Sequence, residues 1–175
     1  MRRWGVLFLF ALSAEAAVVR TERIEDLAAA AQLVARGTVQ SVEAKWDRSH
    51  RAIYTYAQVT IAERFKGGNQ RSVRVRQPGG EVGEIGQHVA GAAGFKTGEE
   101  LVLFLEPVAD EPATYTLVAL SAGKVQLDDR RAHRQLTGLA AADAPGSLRT
   151  LGDDALGPRE AFLARVRAAC SRSGK

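Results

Sequence analysis

Tryptophan, tyrosine and arginine gather in two short stretches of this chain: Trp46, Tyr54 and Tyr56 in one, Arg71, Arg74 and Arg76 in the other. Flat rings beside guanidinium groups make a binding surface, because the rings supply apolar area and the arginines supply fixed donors. Pro78, Gly79, Gly80 and Glu81 follow directly, in a glycine-rich segment whose backbone can approach a partner closely. The candidate binding residues are therefore Trp46, Tyr54, Tyr56, Arg74, Arg76, Pro78, Gly79, Gly80 and Glu81. Catalytic chemistry has no comparable signal. Gly123-Lys124 lacks the upstream glycine spacing of a phosphate-binding loop and is followed by Val125. No G-x-S-x-G elbow or H-E-x-x-H helix occurs. Cys170, the one cysteine, and three scattered histidines cannot build a Cys/His metal cluster. Glu81, Glu84 and His88 could offer oxygen and imidazole donors to a metal, but their spacing does not enforce it, and solvated loop polars are the simpler reading. No catalytic residue, metal ligand or cofactor is expected.

Those residues need a scaffold. With 175 residues, 46% hydrophobic and 25% charged, the chain suits one compact domain with a real core. The first sixteen residues stand apart from it. Arg2 and Arg3 make a positive start, residues 4–12 a short apolar run, and Ala14-Glu15-Ala16 a small-x-small site that a signal peptidase accepts. The expected division is a signal peptide over residues 1–16, a β-barrel domain with an N-terminal helix over 17–156, and a C-terminal helix and tail over 157–175. Export to the periplasm or the extracellular space follows, and no later segment is long and apolar enough to cross a membrane. Loss of Arg2, Arg3 and Glu15 lowers the net charge of +4 by one, a small excess that requires no anionic partner. A single cysteine cannot pair within the chain, and Cys170 reads as a tolerated helix residue before it reads as an intermolecular bridge.

Residues 53–65, IYTYAQVTIAERF, are the stretch around which the rest is organised. Ile53, Ala57, Val59, Ile61 and Phe65 fall on one face, and Tyr54, Tyr56, Gln58, Thr60 and Arg64 on the other. That alternation specifies a half-buried strand, which at roughly 3.3 Å per residue must twist and coil. Residues 33–43 read as a strand carrying one glycine, Gly37, at a bulge or bend. The polar turn at residues 46–51 joins the two into a long hairpin, with Trp46 packing across it on Tyr54 or Tyr56 and His50 exposed in the loop. Residues 71–77 alternate, with Val73 and Val75 on the opposite side to Ser72, Arg74 and Arg76. Residues 81–94 carry four glycines without a sustained period and read as a long loop.

The continuous apolar run Leu101-Val102-Leu103-Phe104-Leu105 predicts a strand buried on both faces, one toward the barrel core and one toward a covering helix. Strands over 115–120 and 124–128 follow, then a turn, a further short edge strand, and a loop over 136–152. An N-terminal helix is expected from Thr21, its N-cap, to about Ala31, with Ile24, Leu27, Ala28 and Ala31 in one stripe. A final helix opens with Pro158 at its first position. Phe162, Leu163 and Val166 form its apolar side, Arg159, Arg165 and Arg167 face water, and residues 172–175 fray. The fold class is mainly β: a small antiparallel OB-like barrel with a helix at each end packed on it.

An N-terminal helix followed by LVARGTVQSVEAKWD, YTYAQVTIAERFKG, VRVRQPGG and GEELVLFLEP resembles exported bacterial domains similar to the netrin-like modules and tissue inhibitors of metalloproteinases. The resemblance covers about residues 28–107 and implies an OB-like barrel flanked by helices. It does not carry inhibition across. Those inhibitors chelate the protease zinc with an N-terminal cysteine, whereas the mature chain here is expected to begin Ala17-Val18-Val19. The function expected is an exported, non-enzymatic protein-binding module, contacting its partner through residues 77–95 and 46–51. The alternative is a barrel that binds a polyanion, glycan or nucleic acid, through Arg71, Arg74, Arg76 and the tyrosines. Export argues against nucleic acid.

Overall fold

A computed structural model describes residues 17–18, 23–136, 139–144 and 147–173. The signal-peptide assignment, its cleavage after Ala16 and the Thr21 cap lie outside these residues. After a short strand β1 (Ala17–Val18), helix α1 spans Ile24–Ala30. Arg23 stands at its N-cap without a side-chain hydrogen bond, and its apolar stripe Ile24, Leu27, Ala28 and Ala31 is buried as expected.

β2 (Leu33–Trp46) and β3 (Ile53–Lys66) form the long hairpin, with the alternation of β3 expressed as buried Ile53, Ala57 and Val59. Their register shifts at three places, one of them between Arg36 and Gly37. A Cβ on Gly37 would sit 2.3 Å from the Thr60 carbonyl oxygen, so glycine lets the bent strands close up there. β4 (Ser72–Pro78) adds antiparallel to β3, and its Val73 and Val75 turn inward. The segment expected to be a loop holds a small hairpin instead, β5 (Gly80–Val82) with β6 (Ile85–Gln87). It is three residues per strand, too short to show a period.

β7 (Glu100–Pro107) carries the apolar run, and Leu101, Val102, Leu103, Phe104 and Leu105 are each no more than 1% exposed. β8 (Thr114–Leu117) ends earlier than its sequence suggests, because Ala119 and Leu120 take left-handed backbone and lead into a 3₁₀ turn over Leu120–Gly123. β9 (Lys124–Leu127) and β10 (Arg131–Arg134) follow. β10 is not an edge strand, because it pairs with β9 and with β13 (Asp154–Pro158). The expected loop after it contains β11 (Leu139–Ala144) and β12 (Ser147–Thr150), an antiparallel pair that β1 joins in parallel. β11 is mostly alanine, and β12 and β1 are only four and two residues long, so none gives a side-chain period to read. Pro158 closes β13 rather than opening a helix, and α2 spans Arg159–Ser173, running into the stretch expected to fray.

The described strands include one mixed sheet in the order β13-β10-β9-β7-β2-β3-β4-β8, partly closed because β7 also pairs with β8. It is not purely antiparallel, since β4 and β8 run parallel. β7 divides two cores. Leu101, Leu103 and Leu105 meet Val39, Val59 and Val75 on the inner side, and Val102 and Phe104 meet α1 and α2 on the other. Phe162, Leu163 and Val166 bury the expected face of α2.

Arg165 and Arg167 are exposed to water as expected, Arg159 is largely covered, and all three are ion-paired. Arg159 grips Glu100 with both terminal nitrogens at 2.9 and 2.7 Å, Arg167 meets Glu63, and Arg165 meets Glu25. The Arg165 hydrogen bond holds the Glu25 carboxyl down from 4.5 to about 2. A pKa lowered by folding stabilises fully above the unfolded value, and the contribution disappears as pH falls through the folded one. The Glu25→Gln variant is therefore expected to lose less than about 1 kcal/mol at neutral pH, given that Arg165 is half-exposed and screened. Urea titrations between pH 5 and pH 2 should show that difference closing, and a constant gap would contradict it.

Candidate functional site: the outer face of the long hairpin

On β2 and β3, side chains that do not enter the core stand on the outer face, and the register arranges them in rows. Lys45 lies opposite Tyr54 and then Pro78; Glu43 opposite Tyr56 and then Arg76; Ser41 opposite Gln58 and then Arg74. Twist brings diagonal neighbours together. The Arg76 guanidinium lies 4.6 Å from the Tyr54 ring centre, and that of Arg74 lies 5.5 Å from the Tyr56 ring centre. The result is a ladder of alternating tyrosine and arginine across the sheet.

Two loops wall this face. In the hairpin loop the Asp47 carboxylate accepts from the Ser49 hydroxyl at 2.6 Å and from the Arg51 amide at 2.7 Å, which lowers its pKa. Trp46 stacks on His50, ring centres 6.2 Å apart, and not on a tyrosine as expected; the left-handed backbone at His50 turns that ring back over the strand end. Opposite, the loop between β7 and β8 delivers Asp110 and Glu111. One Glu111 oxygen accepts from Arg76 at 2.6 Å and from the Tyr56 hydroxyl at 3.0 Å. Burial and then this carboxylate raise the Tyr56 pKa. For Arg76, burial acts to lower the pKa, and Glu111 outweighs it and raises it. Arg74 donates twice to the Thr114 hydroxyl, at 3.0 and 2.7 Å. Both arginines are thus held before any ligand arrives.

The enclosed space is an open concavity of about 640 Å³. Of the residues singled out from sequence, Trp46, Tyr54, Tyr56, Arg74 and Arg76 line it. Pro78, Gly79, Gly80 and Glu81 do not. Pro78 ends the row beside Tyr54, and Glu81 is exposed on β5. Arg71 precedes β4 and does not join the arginine row. Gly79 and Gly80 serve the fold: the Gly79 amide donates to the Ile53 carbonyl at 2.8 Å, and its own carbonyl accepts from Thr55. A Cβ on Gly80 would stand 2.5 Å from the Thr55 hydroxyl, at a φ of +133° that side chains rarely adopt. Gly80→Val is accordingly expected to cost about 2 kcal/mol or more of stability. A urea midpoint unchanged from the parent would contradict that packing.

Sequence reasoning placed Gln58 on the face of Tyr54 and Tyr56 without naming it a binding residue, and passed over Ser41, Glu43 and Lys45, which the hairpin register sets beside that face. Glu111 had no local signal at all. Among the described residues no three His, Cys, Asp or Glu side chains come together to hold a metal, and Glu81, Glu84 and His88 form no such group. No described helix is long and apolar enough to cross a membrane. Compared with known proteins, the chain matches no family model and no curated protein.

Proposed function

We propose that this protein is an exported, non-enzymatic protein-binding module built on an OB-like barrel, and that the outer hairpin face is its contact surface. The barrel reading is supported by the circuit β2-β3-β4-β8-β7, in which each strand pairs with the next and β7 returns to β2. Five-stranded barrels of that class take ligands on the second and third strands and the loops beside them, which is where the concavity lies. This agrees with the resemblance to netrin-like modules.

One observation carries the functional reading: Trp46, Tyr54, Tyr56, Arg48, Arg74 and Arg76 share one open face. Tryptophan, tyrosine and arginine are the residues that dominate protein–protein binding energy. Glu111 and Thr114 hold the arginines in place, which reduces the entropy lost on binding. A polyanion suits the face less well, because Glu43, Asp47, Asp110 and Glu111 offset Lys45, Arg48, Arg74 and Arg76.

The test starts with protein purified from the native exported fraction, whose mass is expected to place its first residue at Ala17. It is immobilised and exposed to envelope and secreted proteins at about 0.1 and about 1 M salt. One protein retained stoichiometrically at high salt is expected, with affinity reduced at least about tenfold by Tyr56→Ala or Arg76→Ala. Polysaccharide or nucleic acid released by salt would favour the polyanion alternative. Binding untouched by both substitutions would remove the face from the proposal.

A further inference from the structure

The concavity has an unpaired backbone beside it. β7 pairs with β2 only over residues 33–38, and two bonds at Val39 (Val39 amide to Glu99 carbonyl, 3.0 Å; Gly98 amide to Val39 carbonyl, 2.9 Å) end the contact. β2 nevertheless continues to Trp46 along β3. Among the described residues no strand pairs with residues 40–46 on the side away from β3. The β5–β6 hairpin does not occupy that side: Gly80 lies against Ala44 and Thr55, on the inner face of the sheet.

The phase of this edge can be worked out. The Asp47 amide donates to the Ala52 carbonyl at 2.8 Å, making 47 and 52 a hydrogen-bonded pair. In an antiparallel ladder such pairs recur at every second residue. Lys45, Glu43 and Ser41 therefore bond β3, and Val42, Ala44 and Trp46 turn their N–H and C=O outward. The register shift between Val39 and Ser41 agrees, since Val39 also points outward, toward β7. Outward polar groups at 42, 44 and 46 form a template for one more strand.

We infer that this edge takes an extended segment of the partner polypeptide by strand addition, an inference that rests on the protein-binding reading above and supplies its mode. Only a polypeptide offers donors and acceptors at the repeat of Val42, Ala44 and Trp46. The side chains beside the incoming strand set its charge. Glu43 and Lys45 are 64% and 55% exposed and pair with each other at 2.9 Å, a contact of little energetic weight that is readily exchanged. The complementary segment carries a basic residue opposite Glu43 and an acidic residue opposite Lys45, two positions apart. In the free protein the same two charges discourage indiscriminate edge pairing.

A displayed library of random heptapeptides, selected on the full protein, tests this. Alternating sequences with Lys or Arg two residues from Asp or Glu are expected to be enriched. Their affinity should fall at least about tenfold in Ala44→Pro, which removes an outward N–H and leaves the β3 ladder intact. Should that variant not fold by circular dichroism, amide hydrogen exchange of the unaltered protein decides. Bound peptide should slow exchange at Val42, Ala44 and Trp46 at least about tenfold and leave Ser41 and Glu43 unchanged. Peptides that ignore the edge but lose affinity in Arg76→Ala would overturn strand addition and leave the binding face standing. A library with no enriched binder would overturn strand addition, whereas the protein-binding reading falls only if no protein is retained at high salt. Concentration-dependent dimers abolished by Ala44→Pro would make a second copy of this chain the occupant and overturn the partner assignment.

Discussion

Replacing Phe104 by alanine is expected to lower the unfolding free energy by about 3–5 kcal/mol. Phe104 has no exposed surface and lies on the side of β7 that faces α1 and α2, among Val102, Ile24, Leu27, Phe162 and Val166. Its removal takes away a large apolar group and leaves a void that two helices and a sheet cannot close without shifting together. Leu103→Ala is expected to cost about 2–5 kcal/mol on the other side of the same strand, where Leu103 packs in the inner core with Val59 and Val75. Domains of this size are stable by only about 5–15 kcal/mol, so either change consumes much of the margin. Urea denaturation followed by circular dichroism measures both. A loss below about 1 kcal/mol for Phe104→Ala would show that the helices are not anchored through this residue.

The second large effect is expected at Lys124. Its ammonium group is buried, donating to the Gly94 carbonyl at 2.5 Å and to Glu99 at 2.9 Å, and it lies 5.0 Å from the Phe95 ring centre. Glu99 is equally buried and also accepts from the Lys96 amide at 3.0 Å. The pair thus pins the segment between β6 and β7 onto β9. Cutting one member leaves the other as an uncompensated buried charge, so Lys124→Met or Glu99→Leu alone is expected to cost about 3–5 kcal/mol. The double variant should recover most of that loss, because two apolar side chains leave no orphaned charge. A strictly additive double variant would mean that the two residues stabilise the fold independently.

How legible these features were depends on the distance over which each is set. β3 and β7 could be read from the chain because their information is local: strict alternation in one, unbroken apolarity in the other. The stripe of α1 and the buried face of α2 were local in the same way. The edges of elements were not. Pro158 is compatible with the first turn of a helix and equally with the last residue of a strand, and only its pairing with Arg131 decides. β11 and β12 were missed because one is mostly alanine, which is neutral about burial, and the other is only four residues long. The ion pairs of Arg159, Arg165 and Arg167 could not be read, because nothing in α2 reveals that Glu100, Glu25 and Glu63 stand opposite.

The candidate site divides along the same line. Tyr54 and Tyr56 share a face by parity, and so do Arg74 and Arg76, so their types and spacing already marked a binding surface. Which arginine meets which tyrosine depends on the β3–β4 register. That the glycines beside them pack against the fold depends on Thr55, Ala44 and Gln87 lying next to them.

By itself, then, the sequence determined a mainly β chain, the faces of its principal strands, the helix stripes that cover them, and the aromatic and basic composition of the surface. Tertiary structure alone decided the partial closure of the sheet, the ion pairs of α2, and the arrival of Glu111 beside Arg76 and Tyr56. The physical reason is range. Alternation and propensity act between residues two to four apart, whereas Glu111 reaches its partners across 35 and 55 residues because β8 returns to pair with both β4 and β7.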